Sequence, residues 1–272
     1  MNLLNLACGQ VYCSDPAWTN LDFASDGDHV RAHDLLTPLP FGSASFDLVY
    51  SSHFLEHLPR AAVAGFLNQC LQVLKPGGIL RLVVPDCEEM FATYLQLRSK
   101  GLHDEANFLV MEIVDQCVRT QRNGEMGRFY DQVDRMPSHQ RQAWFDFIRM
   151  RTGQDLSEAG FFDEDSRAKF RLRDVFMACR GAVHRLGVSM LLAPFRAQNV
   201  SFALVGERHH WLWDFYQLQE ALEEAGFVSV KKMTHDTSLC ADFPFYPLDS
   251  SLDGQPRKGL QSLFVEALKP QR

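Results

Sequence analysis

The strongest constraint on the fold is the alternation of short apolar segments with amphipathic ones over the first 86 residues. The apolar segments, each typical of a buried strand, are Leu3–Leu6, Thr19–Phe23, Val30–His33, Phe46–Ser52 and Ile79–Val84. Strand–helix–strand units of this length place consecutive strands side by side in parallel, joined by right-handed crossovers. The sequence therefore predicts an α/β fold with a mostly parallel central sheet flanked by helices.

One helix is well marked between the last two of these strands. Pro59 suits a first helical turn, and the run Lys75–Gly78 (Lys-Pro-Gly-Gly) suits a helix end. Between them the apolar side chains follow helical spacing. They are Val63, Phe66, Leu67, Cys70, Leu71 and Leu74.

The strand pattern stops after residue 86 and returns near the end of the chain. Between residues 87 and 204 we predict a helical insertion, with Gly124 and Gly127 among the breaks between its helices. Its helices are predicted at Glu88–Arg98, Asn107–Arg122, Gln140–Met150 and Ser166–Arg180. In residues 205–272, a helix at His210–Ala225 and strands at Phe227–Met233 and Ser262–Leu268 are predicted to complete the sheet, which residues 1–86 begin.

Composition excludes several classes of protein. The net charge of −7 argues against a nucleic-acid-binding protein, for which a basic domain is expected. No segment approaches the ~18 uninterrupted apolar residues of a membrane-spanning helix, so we expect no stable membrane insertion. A strand at residue 3 leaves no room for a secretory signal, and the seven scattered cysteines suggest reduced thiols, so we expect a cytoplasmic protein.

The turn after the first strand argues against a dinucleotide ligand. A pyrophosphate cradle needs Gly-x-Gly-x-x-Gly, whereas here Ala7 stands in the first glycine position and Gly9 is followed by no glycine before Gly27. A ligand without phosphates, needing one close approach to the backbone, fits this turn better.

Two acids stand at the ends of the second and third strands. The carboxylate of Asp22 can accept hydrogen bonds from two vicinal ribose hydroxyls. Asp34 is followed by Leu35 and further apolar residues. The carboxylate can accept a hydrogen bond from the amino group of an adenine, and the apolar side chains can pack against the face of its ring. Together they indicate an adenosine-containing ligand.

With these features the chain resembles the class I S-adenosylmethionine-dependent methyltransferases of the type-11 kind, and is similar to members found in bacterial glycan and secondary-metabolite gene clusters. The resemblance covers about residues 3–90 and 205–270. The matching stretches are residues 4–9, 18–22, 34–41, 45–58, 73–86, 225–227 and 257–270.

The resemblance implies a Rossmann-like methyltransferase fold and S-adenosyl-L-methionine as cofactor. The turn would lie under the methionine moiety, the first acid would bind the ribose, the second acid and its neighbour would hold the adenine, and the last two residues of the fourth strand would border the cofactor. The cofactor-binding residues are then Leu6, Ala7, Cys8, Gly9, Asp22, Phe23, Asp34, Leu35, Ser51 and Ser52.

Methyl transfer to a hydroxyl is helped by a general base close to the acceptor proton. His53, Asp86 and His210 are the candidate catalytic residues, because each follows a strand or precedes a helix at the edge where acceptors bind. Each also has a structural alternative: the histidines can brace a turn, and Asp86 can cap the next helix. We expect no metal site, since His209 and His210, being adjacent, would point in different directions on a helix.

The sequence therefore predicts a methyltransferase that modifies a small molecule or a glycan precursor at oxygen or nitrogen. A binding or scaffold protein with the methyltransferase fold but without transfer activity is the alternative, favoured by Ala7 and by the short stretch between Gly9 and the second strand. That short stretch leaves one side of the cofactor pocket open, and the helical insertion is expected to cover it. A serine hydrolase is disfavoured because no Gly-x-Ser-x-Gly elbow is present. Neither the acceptor nor the oligomeric state can be read from the sequence.

Overall fold

The structure is a computed structural model that describes residues 1–24, 28–157, 206–251 and 254–271. The helix predicted at Ser166–Arg180 lies outside the described residues. Within them, no helix has both the length and the apolar character needed to cross a membrane.

The core of the fold is a seven-stranded sheet in the order β3-β2-β1-β4-β5-β7-β6. The strands are β1 Leu3–Leu6, β2 Trp18–Asp22, β3 Val30–Ala32, β4 Phe46–Ser52, β5 Leu74–Pro85, β6 Val228–Met233 and β7 Ser262–Leu268. Strands β1 to β5 are parallel, and β7 runs antiparallel to both β5 and β6. The prediction of an α/β fold with a mostly parallel sheet is confirmed.

The order of the strands in the sheet reverses at β1: β2 and β3 lie on one side of it, and β4 and β5 lie on the other. Leu6, the last residue of β1, is level with Leu21 of β2 and Ser51 of β4. The carboxyl ends of these three strands therefore meet at one edge of the sheet. Ligands of open α/β sheets bind at such a reversal point.

Six helices of eight or more residues are described in the structure; some pack on the sheet, and four form a separate group after β5. They are α1 Arg60–Val73, α2 Cys87–Ser99, α3 His103–Val118, α4 Gly124–Asp134, α5 Ser138–Thr152 and α6 Phe215–Glu224. Helix α1 buries Val63, Phe66, Leu67 and Cys70, as its apolar spacing predicted, against one face of the sheet. Helices α2 to α5 follow β5 and share a separate apolar core centred on Phe108 and Ile148.

Several predicted boundaries were wrong. Helix α3 spans His103–Val118 instead of Asn107–Arg122. Strand β5 starts at Leu74 instead of Ile79, because Leu74 already pairs with Phe46 of β4. The pairing of the two strands is irregular between Phe46 and Leu48, and this irregularity accommodates Pro76 and the two glycines of β5. Helix α6 starts at Phe215 instead of His210, where the Asp214 side chain accepts a hydrogen bond from the Gln217 N–H.

A further correction concerns Gly124 and Gly127, which are predicted as breaks between helices: Gly124 starts helix α4 and Gly127 lies within it. The helix is stabilised from outside: Asp115 of α3 accepts hydrogen bonds from the backbone N–H groups of Glu125 and Met126. A carboxylate at a helix N-terminus satisfies free donors and complements the helix dipole. This cap comes from a neighbouring helix, so the local sequence did not reveal it.

Candidate active site

The turn after β1 leaves an open surface at the reversal point. Both Ala7 and Gly9 have φ 56°, in the left-handed region, and Leu6 before them is buried. The Cys8 N–H donates a hydrogen bond to the Leu21 carbonyl of β2 at 3.2 Å, which fixes the turn against that strand. A Cβ built on Gly9 would meet nothing within 4 Å, so a ligand can lie directly against this part of the backbone.

Asp22 links the turn to the end of β2. Its Oδ2 accepts from the Gly9 N–H at 2.9 Å, and its Oδ1 accepts from the Ala24 N–H at 3.2 Å. Each carboxylate oxygen can accept a further hydrogen bond, so Asp22 shapes the turn and keeps acceptor capacity for two hydroxyls. Phe23, the next residue, is exposed.

Asp34 and Leu35 follow β3 and differ in their environments. The Asp34 side chain is exposed, and its Oδ1 accepts from the Leu36 N–H at 3.0 Å. Leu35 is buried in the main core of the sheet. Asp34 thus offers an accessible carboxylate, and Leu35 beside it contributes an apolar side chain packed in the core.

Ser51 and Ser52 end β4 beside the turn. The Ser51 side chain is buried, and its hydroxyl has no hydrogen-bond partner among the described residues. A buried hydroxyl without a partner is costly unless a ligand or water satisfies it. With the open surface at Gly9 and the free acceptor positions of Asp22, this hydroxyl fits an adenosine-containing cofactor at the reversal point.

His53 follows β4 and lines a cavity of about 190 Å³. Its backbone has φ 51°, its Nδ1 lies 3.4 Å from Glu56 Oε1, and its Nε2 lies 3.2 Å from the Ser262 hydroxyl. Burial lowers the pKa of His53, and the contact with Glu56 offsets only part of that effect. The imidazole is therefore neutral at neutral pH and can accept a proton.

The other two catalytic candidates do not line this cavity. The buried Asp86 caps α2 by accepting from the Glu88 and Glu89 N–H groups, and its Oδ2 lies 3.0 Å from Lys232 Nζ. The cap matches the structural alternative for this residue, and the ion pair with Lys232 was not predicted. The His210 side chain is exposed, while its backbone N–H donates to the Glu56 carbonyl at 2.7 Å.

Three residues that sequence reasoning missed lie around His53: Glu56, His209 and Lys258. Glu56 is completely buried; burial alone would raise its pKa, but the nearby imidazoles of His53, His57 and His209 outweigh it and lower the pKa to about 2. Burial lowers the pKa of His209 to about 4. No periodic signal marks these residues, because their burial depends on segments that are distant in the sequence.

Lys258 gives the cavity a positive charge. Its pKa is lowered to about 8, chiefly by burial and then by the neighbouring Arg257. The described residues lining the cavity include these two cations and no aspartate or glutamate. The remaining lining residues are His53, Pro85, Gln116, Met126, Thr152, Gly153, Gln154, His209 and Gln261. They come from the ends of β4 and β5, from the insertion helices and from the segments before α6 and before β7.

Comparison with known protein families agrees with this geometry. A type-11 family model, described as "Methyltransferase domain", matches residues 1–82, which span β1 to β5 and the turn with its acids. Over these residues the chain is similar to that family. This confirms the resemblance to class I S-adenosylmethionine-dependent methyltransferases, and S-adenosylmethionine is the cofactor that this family indicates. No curated protein sequence matches the chain.

Several solved methyltransferase structures resemble the chain at low similarity. One is a chain from the "Complex between the Haloferax volcanii Trm112 methyltransferase activator and the putative methyltransferase". It is 13% identical to this chain with a TM-score of 0.38, and the match covers 99% of this chain and 82% of that one. A Methanosarcina mazei SAM-dependent methyltransferase is 13% identical with a TM-score of 0.41, covering 99% and 92%. Phosphoethanolamine N-methyltransferase 1 of Haemonchus contortus, solved with phosphoethanolamine and S-adenosylhomocysteine, is 16% identical with a TM-score of 0.28, covering 32% and 23%.

Proposed function

We propose that this protein is an S-adenosylmethionine-dependent methyltransferase that transfers a methyl group to an oxygen or nitrogen of a small molecule or a glycan precursor. The observation that carries the proposal is the pairing of two features at one sheet edge. The open turn at Gly9, with Asp22 beside it, suits the cofactor. The polar cavity bordered by His53 and Lys258 suits an acceptor.

In this proposal the cofactor lies across the ends of β1, β2 and β4. The Gly9 backbone approaches the methionine moiety, Asp22 accepts from the ribose hydroxyls, and Asp34 accepts from the adenine amino group. Leu6, Ala7, Cys8, Phe23, Leu35, Ser51 and Ser52 complete the pocket. The cofactor supplies an electrophilic methyl group on a sulfonium, so the protein's task is to align the acceptor and exclude water.

The acceptor would occupy the neighbouring cavity, within reach of His53. Of the three candidate bases, His53 has the best case, because it lines the cavity and its neutral imidazole can take a proton from a hydroxyl or amine. Asp86 would act by holding the start of α2, and His210 through its backbone hydrogen bond to Glu56.

The positive lining supports an acceptor that carries a polar or acidic group. Arg257 and Lys258 would attract it, and Gln116 and Gln154 offer both donors and acceptors for hydroxyls. Thr152 and Gly153 at the end of α5 also line the cavity, which supports the hypothesis that the insertion covers the site.

The test is calorimetric titration of S-adenosylhomocysteine into the protein and into its Asp22→Asn variant. The amide keeps the size of the side chain but loses the charge, and one of its two polar atoms can no longer accept. Charge-assisted hydrogen bonds are each worth about 1.5–3 kcal/mol, so we expect binding to weaken by about 10- to 100-fold. Asp28→Asn is the matched control, because Asp28 is an exposed acid in the loop after β2.

Equal affinity of the Asp22→Asn variant and the native protein would refute this cofactor site. No binding to the native protein would favour the alternative, a protein that keeps the methyltransferase fold without transfer activity. Binding that is lost in the variant and kept in the control supports the proposal and justifies a screen of acidic and hydroxylated acceptors.

A further inference from the structure

A buried cluster beside the cavity has the composition of a metal site. It consists of Glu56 and His57, in the 3₁₀ turn after β4, and His209, in the segment before α6. The ligand-type atoms of these three side chains lie within 4.8 Å of one another. Glu56 is completely buried, His209 is 7% exposed and His57 is half-buried.

Among the described residues, only histidines approach the charge of Glu56. In the part of the chain that the structure describes, neither of its carboxylate oxygens has a hydrogen-bond partner of ordinary geometry. The groups that approach Oε1 are two imidazole nitrogens, His53 Nδ1 at 3.4 Å and His57 Nε2 at 3.8 Å. Imidazoles stabilise this buried carboxylate, and a cation would compensate its charge more fully.

The orientation of His57 points to the kind of cation. Its Nδ1 lies 2.9 Å from the carbonyl oxygen of Arg208, and because a carbonyl can only accept, Nδ1 carries the hydrogen. In the neutral ring the lone pair of Nε2 then faces the Glu56 carboxylate, and two electron-rich atoms face each other. Histidines that bind metals hold their other N–H in this way, commonly against a backbone carbonyl.

His209 supplies the third group. Its Nδ1 is buried and has no hydrogen-bond partner among the described residues. Its ring meets that of His57 edge to face, with centroids 4.8 Å apart and planes at 70°. Two inclined imidazoles and a carboxylate, each with an unused electron pair, are a donor set suited to a divalent transition-metal ion.

Backbone hydrogen bonds hold the segment that carries His209 against α3 and against the turn that carries Glu56 and His57. The His209 N–H donates to the Gln116 carbonyl at 2.8 Å, and the His210 N–H donates to the Glu56 carbonyl at 2.7 Å. Tetrahedral zinc with bonds of about 2.0–2.1 Å has ligand atoms about 3.4 Å apart, so the side chains need to close by about 1 Å or a little more.

We propose that Glu56, His57 and His209 form a binding site for a divalent transition-metal ion such as Zn²⁺. Three protein ligands leave a coordination position open, as in catalytic zinc sites. His53 and His209 both border the cavity, so an ion here lies next to the space for the acceptor. The proposal departs from the sequence analysis, which expected no metal, and it does not depend on the proposed methyl transfer.

The test uses the full chain without a histidine tag, stripped with a chelator and titrated with Zn²⁺ by calorimetry, with bound zinc counted by mass spectrometry. We expect one ion per chain, and at least about 100-fold weaker binding in Glu56→Gln and in His209→Asn, since even partners outside the ligand set change metal affinity by 10- to 100-fold. His210→Asn is the matched control: its side chain is exposed on the same segment, and binding should be unchanged.

The absorption spectrum of the native protein with Co²⁺ adds evidence that needs no variant. Bands of nitrogen and oxygen ligation, without the strong charge-transfer band of cysteine thiolates, support the site even where a variant fails to fold. Absence of stoichiometric binding, a thiolate-type spectrum, or unchanged binding in folded Glu56→Gln and His209→Asn would each overturn it.

Discussion

At the scale of single residues, the unusual chemistry of this protein is concentrated around the cavity. Lys258 is the clearest case, since its side chain is half-buried and forms no ion pair with any described residue. Burial and the like charge of the neighbouring Arg257 outweigh the attraction of Glu56 and Asp249. Both effects favour the neutral amine, so the charge of the cavity depends on pH near 8.

This residue yields a prediction for chemical labelling. Amines react with acetylating reagents in the neutral form, and an ordinary lysine has a pKa of about 10.4. With a pKa of about 8, Lys258 should be acetylated to half its maximal rate near pH 8. Mass spectrometry of a pH series, with exposed Lys100 at the end of α2 for comparison, measures this. Parallel pH profiles for the two lysines would contradict it.

At the scale of elements, the insertion and the segment before β7 meet through two glycines. Gly153, after α5, has φ 73°, and Gly259 has φ 70°. A Cβ on Gly259 would overlap the carbonyl of Arg151, and one on Gly153 would overlap the carbonyl of Arg257. The Leu260 N–H also donates to the Met150 carbonyl at 3.0 Å. This close backbone contact positions Lys258 beside the cavity.

The contact predicts that Gly259→Ala destabilises the fold strongly. Positive φ alone costs an alanine about 1–2 kcal/mol, and overlap with a fixed backbone carbonyl adds to it, so we expect a loss of about 3 kcal/mol or more. Gly254→Ala is the matched control, because Gly254 also has positive φ but nothing lies within 4 Å of its Cβ position. Urea unfolding of both variants measures the difference; equal losses would show that the close contact has no energetic weight.

At the scale of the whole molecule, a buried ion network joins the sheet to the long loop between β6 and β7. Arg81 of β5 donates to Asp249 at 2.6 Å and to Glu266 of β7 at 2.8 Å, and all three side chains are almost completely buried. Tyr50 of β4 donates to the second oxygen of Asp249 at 2.7 Å. The Arg257 N–H donates to the Asp249 carbonyl at 2.9 Å, so the network extends to the cavity.

Removing Arg81 should therefore destabilise the whole fold. In Arg81→Met two carboxylates stay buried without their cation, and breaking a buried pair in this way costs about 3–5 kcal/mol. Arg128→Met provides the comparison, because the Arg128–Glu125 pair on α4 is about 60% exposed and such pairs contribute about 0–1 kcal/mol. Urea denaturation measures both; a loss below about 1 kcal/mol for Arg81→Met would contradict the assigned role.

The local pattern of the sequence was sufficient for most of the sheet. Strands β1, β4 and β7 have the predicted limits, because continuous apolar runs bounded by turn residues mark buried strands. Strand β2 is shifted by one residue at both ends, and β3 ends one residue earlier than predicted. The order of the last strands was not predictable in this way, since β7 pairs with β5 across a separation of about 180 residues.

For the candidate site, the sequence by itself determined the turn at Gly9 and the acids Asp22 and Asp34, because their positions follow from where strands end. Only the tertiary structure decided which side chains surround the cavity. His209 rather than His210 faces it, Glu56 is enclosed by three imidazoles, and Lys258 is brought there by the glycine contact with α5. Periodicity reports which face of an element is apolar, whereas burial of a charge depends on segments that meet only when the chain is folded.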